Sequence, residues 1–122
     1  MKTQDKTYYI GVDVSKSKLD VACQYWKIPK QFANDQKGIG ELILAISDLD
    51  EQAHLVCEAT GGYEQRLLDG AHENSILVSR VNARQVRDFA RAKGKLAKTD
   101  RLDASMIREF AESVAPKPTK AA

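Results

Sequence analysis

Cysteine is scarce in this 122-residue chain, and its two cysteines do not read as a disulfide framework. Cys23 and Cys57 each sit inside an apolar run, which suits small buried thiols in a reducing cytoplasm. Aromatic residues make up only 7% of the chain, so contact with nucleic acid would rest on charge more than on base stacking. No run approaches the ~20 apolar residues that a membrane span requires. The opening MKTQDKTYYIGVDVS lacks the apolar core of a signal peptide, and the expectation is a cytoplasmic protein with no membrane partner. Glycine-rich phosphate loops are missing too: neither G-x-G-x-x-G nor G-x-x-x-x-G-K-S/T occurs. The two histidines, His54 and His72, have no partner at catalytic spacing and read as core, strand or surface residues. There is no internal repeat and no low-complexity segment.

What is present is an ordinary globular composition, 43% apolar and 30% charged, in a chain long enough for one domain with a real core. Residues 1–115 read as that domain, and the Pro- and Lys-bearing residues 116–122 as a linker-like tail. The net charge of +2 is unevenly spread. Arg80, Arg84, Arg87, Arg91, Lys93, Lys95, Lys98 and Arg101 stand against Asp88 and Asp100, so this window is strongly basic while the rest is acidic. A solvated helix face explains some such runs; an electrostatic footprint for a polyanion explains others.

The pattern of apolar residues gives the element order β-β-β-α-β-α-β-α-α. TYYIGVDVS is β-branched and aromatic and reads as a largely buried strand. KLDVACQYW alternates and pairs with it as a hairpin; Gln31–Ala33 can add a short third strand, with Tyr25 and Trp26 closing the core. Ile39, Leu42, Ile43, Ile46 and Leu49 fall at helical spacing. AHLVCEA is a buried strand ending at Glu58, the TGG that follows is a turn, and residues 63–72 form a second helix. SILVSRV is another strand, after which Asn82 can cap a helix with Val86, Phe89 and Ala90 inward and Arg84, Arg87 and Arg91 outward. Gly94 interrupts this helix, and a last one runs from about Asp100 to Ser113. A hairpin followed by βαβ units implies a mixed sheet flanked by helices.

Four acids could carry chemistry. Asp13 interrupts an otherwise apolar strand, where an ionised carboxylate needs a cation, a hydrogen-bonding partner or solvent. Glu58 falls at the carboxyl end of a strand, where open α/β sheets gather ligands. Asp100 and Asp103, in KTDRLDA, share a helix face; the pair suits a capping box, with Asp100 as N-cap and Asp103 in the first turn, and equally suits two carboxylates converging on one cation. Carboxylates without a His or Cys cluster fit Mg²⁺ or Mn²⁺ rather than zinc. A pair of such ions stabilises phosphodiester displacement, and the adjoining basic segment would hold the polyanion by its phosphates. Ser15 and Ser105 lie near these acids, but nothing legible activates either as a nucleophile.

GVDVSKSKLDVA, CEATGGYE and AKTDRLDA, in this order and spacing, resemble the N-terminal domain of the DEDD insertion-sequence transposases. These are relatives of the Piv-type DNA invertases and are also known as bridge-RNA-guided recombinases. The resemblance covers about residues 8–110. It implies an RNase H-like, RuvC-type fold with a mixed five-stranded sheet. It also implies a metal-binding tetrad of Asp13, Glu58, Asp100 and Asp103 that holds Mg²⁺ during DNA strand cleavage and exchange. Full-length members of the family continue into a coiled coil and a second domain that supplies a nucleophilic serine. The resemblance therefore implies that this chain is a fragment, inactive for full recombination. DNA is the implied partner, with guide RNA and self-association belonging to the full-length form. Arg84, Arg87, Arg91, Lys93, Lys95, Lys98 and Arg101 are the candidate nucleic-acid contacts.

Three other readings compete. A nucleic-acid-binding module would keep the acids as structural residues, and a Holliday-junction-type nuclease would use them without strand exchange. A sugar-kinase or actin-type ATPase half also opens with strand, turn, strand and an early Asp. Its phosphate hairpin wants a Gly-bearing turn, whereas DVSKSKLD has none.

Overall fold

Tyr8, Ile10, Val12 and Val14 alternate along the first strand, and every one of them is buried. That alternation fixes which face of the strand looks into the main core, and the remaining elements follow from it. The computed structural model describes residues 7–49, 52–94 and 103–121. Strand β1 (Thr7–Val14) pairs antiparallel with β2 (Lys18–Ala22), which pairs antiparallel with β3 (Lys30–Ala33). On its other side β1 runs parallel to β4 (Gln52–Glu58), and β4 runs parallel to β5 (Leu77–Val81). The sheet order is β3-β2-β1-β4-β5, a mixed five-stranded sheet in the expected element order.

Helices cover both faces. On one face α1 (Gln36–Ser47) and α2 (Gln65–Glu73) bury Ile39, Leu42, Ile46, Leu67, Leu68 and Ala71 against Ile10, Val12, Leu19, Val21, Leu55 and Cys57. On the other, α3 (Ala83–Ala92) and α4 (Ala104–Val114) close a smaller core of Val56, Val81, Val86, Ala90, Ile107, Phe110 and Ala111. Phe89 and Phe110 meet there edge to face, with ring centroids 5.7 Å apart.

Gly11 sets how close α4 comes. A Cβ at this position would lie 2.0 Å from Ala104 O and 2.6 Å from Arg108 N, so the first turn of α4 rests directly on the β1 backbone. Only glycine permits that approach.

Two expectations are corrected at the ends of elements. The last helix begins at Ala104 rather than near Asp100, and its N-cap is Asp103, with extended backbone and a carboxylate that accepts from Met106 N at 2.9 Å. The apolar period Ala104, Ile107, Ala111 starts only there, which is why the cap falls on the second aspartate. Tyr25 does not close the core: β2 stops at Ala22, and Tyr25 is 47% exposed with its ring edge-on to Tyr8. Trp26 does pack on the main core, under the Lys30 ammonium.

The residues after α4 lie along β5. Thr119 N donates to Val78 O at 2.8 Å, Arg80 N donates to Thr119 Oγ1 at 3.0 Å, and Ser79 Oγ donates to Lys117 O at 2.7 Å. With its one proton so used, the Ser79 oxygen accepts from His54 Nε2 at 2.6 Å. His72 Nε2 donates to Thr119 O at 2.8 Å, so both histidines serve structure.

Candidate functional site

Asp13 and Glu58 stand at the same level. The β1–β4 ladder pairs Gly11 with Val56 and Val12 with Cys57, which sets Asp13 and Glu58 one step further on, at the carboxyl ends of two central parallel strands. Adjacent strands are ~4.8 Å apart. Both residues are half-buried. Parity puts both on the α4 face, since Gly11 lies under α4 and Val56 belongs to the core that α4 closes. Asp103 immediately precedes Ala104, the residue seated on Gly11, so it arrives at the same end of the same face. One of its oxygens, Oδ1, is engaged in capping Met106. Asp100 lies outside the described residues. Among the described residues no three His, Cys, Asp or Glu side chains are close enough together to hold a metal ion. The three described acids therefore share a face and an end of the sheet without closing into a cage.

Sequence reasoning passed over three polar residues around this end of the sheet. Asp20 pairs directly with Asp13 across the β1–β2 ladder, on the same face, and accepts from Gln31 Nε2 at 2.8 Å. Asn34 is buried between β3 and α1. Glu64 is only 2% exposed and organises the turn that follows Glu58. Its Oε1 accepts from Thr60 N at 3.1 Å, Thr60 Oγ1 at 2.6 Å and Gly62 N at 3.1 Å, while Arg80 Nη1 binds Oε2 at 3.0 Å. Burial alone would raise the Glu64 pKa; hydrogen bonds from the Thr60 hydroxyl, backbone N–H groups and Arg80 outweigh it and bring it down to about 2. The sequence signal was available in the final letter of CEATGGYE: a carboxylate just after a Gly-Gly turn can satisfy that turn's N–H groups. Beneath the same loop, burial pushes the Cys57 thiol up to about 12, with the Glu64 charge adding to it, so it is an inert core thiol.

The basic residues divide. Arg84 and Arg91 project from α3 into solvent as expected, Arg91 with Asp88 at 3.5 Å. Lys93 is exposed, its ammonium 5.6 Å from the Phe89 ring centre. Arg87, expected to face outward, is half-buried because its position lies beside the Val86 and Ala90 stripe. Lys95, Lys98 and Arg101 lie outside the described residues.

Residues 10–121 match a family model described as a transposase, that of the DEDD transposases of insertion-sequence family 110. The chain belongs to the DEDD transposase family. Two curated relatives of this DEDD transposase domain are the pilin gene-inverting proteins of Moraxella bovis and Moraxella lacunata. They are 33% and 34% identical to it over 108 residues, which is 84% of this chain and 33% of each relative. The domain thus spans about a third of the length of those proteins. Among solved structures, T. thermophilus RuvC in complex with a Holliday junction substrate superposes with a TM-score of 0.59 at 14% identity, covering 93% of this chain and 100% of the other. At that identity the likeness shows the fold: this DEDD transposase domain has the RNase H-like, RuvC-type architecture.

Proposed function

We propose that this domain is the carboxylate half of a DNA strand-cleaving recombinase centre, in which Asp13, Glu58, Asp103 and Asp100 hold Mg²⁺ or Mn²⁺ at a DNA phosphodiester. The observation that carries the reading is the level, same-face register of Asp13 and Glu58, with the first turn of α4 resting on Gly11 beside them. The donor set fits a hard divalent ion in kind, because every candidate ligand is a carboxylate oxygen. When bound, the ion supplies Lewis-acid stabilisation to the attacking and leaving oxygens of the phosphodiester. The chain's own contribution is placement. Asp13 and Glu58 offer oxygens from rigid strand ends, Asp103 keeps a second oxygen for the ion while the first caps α4, and Arg84, Arg91 and Lys93 hold phosphates without reading sequence.

The names of the relatives and of the structural neighbour support DNA as the substrate, with inversion or transposition as the outcome. Complete strand exchange then needs a further, serine-bearing domain, acting in a complex of several copies and with guide RNA as an additional partner. No described helix is long and apolar enough to cross a membrane, and the proposed location is the cytoplasm.

A second reading, a nucleic-acid-binding module inactive by itself, is favoured by one observation: the described acids do not gather into a metal cage. The two separate in a full-length protein carrying Asp13→Asn or Asp103→Asn, the second of which can still cap α4. Strand cleavage should be abolished with DNA affinity and thermal unfolding retained; cleavage at the wild-type rate would leave the binding module as the better account.

A further inference from the structure

The β1–β4 ladder pairs Val12 with Cys57 and ends one step before the candidate acids, so the loops that leave the two strands complete what the sheet begins. Beyond it, the side chain of Asn34 links the two strands' outgoing loops. It is 3% exposed, and its Nδ2 donates to Ser15 O at 2.9 Å and to Tyr63 O at 2.9 Å. Ser15 lies two residues past Asp13, and Tyr63 lies in the loop that follows Glu58. Both partners are carbonyl oxygens, which only accept, so the amide nitrogen must be the atom that faces them.

The rest of Asn34 is anchored as well. Its backbone N–H donates to Ser17 O at 3.0 Å, and its carbonyl accepts from Arg66 Nη1 at 3.1 Å. Its Oδ1, by contrast, is buried with no partner among the described residues. What Asn34 supplies is two donors on a short side chain, aimed at two different loops. On the far loop Glu64 carries the tie onward, through Thr60 and Gly62, to within two residues of Glu58.

We infer that Asn34 is a positioning residue for the carboxylate pair: by bridging Ser15 and Tyr63 it holds Asp13 and Glu58 at the separation a divalent cation requires. This rests on the carboxylate-centre reading above. Groups hydrogen-bonded directly to metal ligands are typically worth about 10- to 100-fold in metal affinity, and Asn34, acting through the two loops, is expected at the lower end of that range.

The test is Mn²⁺ titration of this chain by calorimetry, with thermal unfolding recorded alongside. Asn34→Ala should weaken Mn²⁺ binding by about 10-fold, and Asn34→Ser, which keeps one donor, should fall between it and wild type. Ile46→Ala removes a buried side chain from the remote end of α1 and should lower Tm with Mn²⁺ affinity unchanged. If Asn34→Ala does not fold, Asn34→Ser carries the comparison. Asn34 variants that bind Mn²⁺ as wild type does, while Asp13→Asn does not, overturn this inference alone. So does a loss of affinity that Ile46→Ala reproduces at equal loss of Tm. A wild-type chain that does not bind Mn²⁺, or an Asp13→Asn chain that binds it normally, overturns the carboxylate reading and the inference with it.

Discussion

Glu64 is a buried carboxylate with three donors from its own loop and an arginine from β5, and this makes the turn after Glu58 sensitive to acid. Its pKa is depressed from 4.5 to about 2. The stability contributed by its charge is therefore fully present above pH 4.5 and lost as the pH falls toward 2, on the order of 3 kcal/mol in all. Urea denaturation at pH 5 and at pH 2 should show wild type losing that much more than Glu64→Gln; parallel losses would mean the carboxylate is not held as described. Glu64 also shows what one residue type can hide. A glutamate beside a helix start reads as solvated; the Gly-Gly turn before it hints at the role, and the fold shows three N–H and O–H groups converging on it. Asn34 is harder still, because its two carbonyl partners lie 19 and 29 residues away in the chain. For the D-x-x-D pair, the capping role was legible and the residue was not. Two aspartates three apart offer alternative caps, and Ala104 seated on Gly11 decides for Asp103.

At the scale of elements, periodicity carried most of the architecture. Alternation marked the hairpin, the helical spacing of Ile39, Leu42 and Ile46 marked α1, and Asn82 capped α3 where expected, accepting from Arg84 N at 2.8 Å. What periodicity could not give was where a strand stops, as at Ala22, or which arginines of α3 reach solvent. That difference bears on DNA binding. Arg84 and Arg91 are exposed whereas Arg87 is half-buried. Replacing Arg84 and Arg91 together by Ala should flatten the dependence of duplex affinity on salt, by up to about 0.9 in log–log slope for each phosphate that is no longer neutralised. Arg87→Ala should change it less. Fluorescence anisotropy over a salt series reads this directly, and an unchanged slope in the double variant would remove α3 from the interface.

At the scale of the whole molecule, a parallel strand pair ends in two level carboxylates, and a helix laid on a glycine brings a third acid to the same face. The residue types of the proposed centre were legible in the sequence because an acid interrupting an apolar strand is conspicuous. Their shared level and face were not, since register is a property of paired strands. The central claim is that Asp13, Glu58 and Asp103 serve one divalent ion site. It is tested most directly by a crystal structure grown with Mn²⁺ and measured for anomalous scattering. The expected result is an anomalous peak within coordinating distance of Asp13 and Glu58 oxygens, and of Asp103 or Asp100. A well-ordered structure at saturating Mn²⁺ with no peak there, or with ions only elsewhere on the surface, would contradict it.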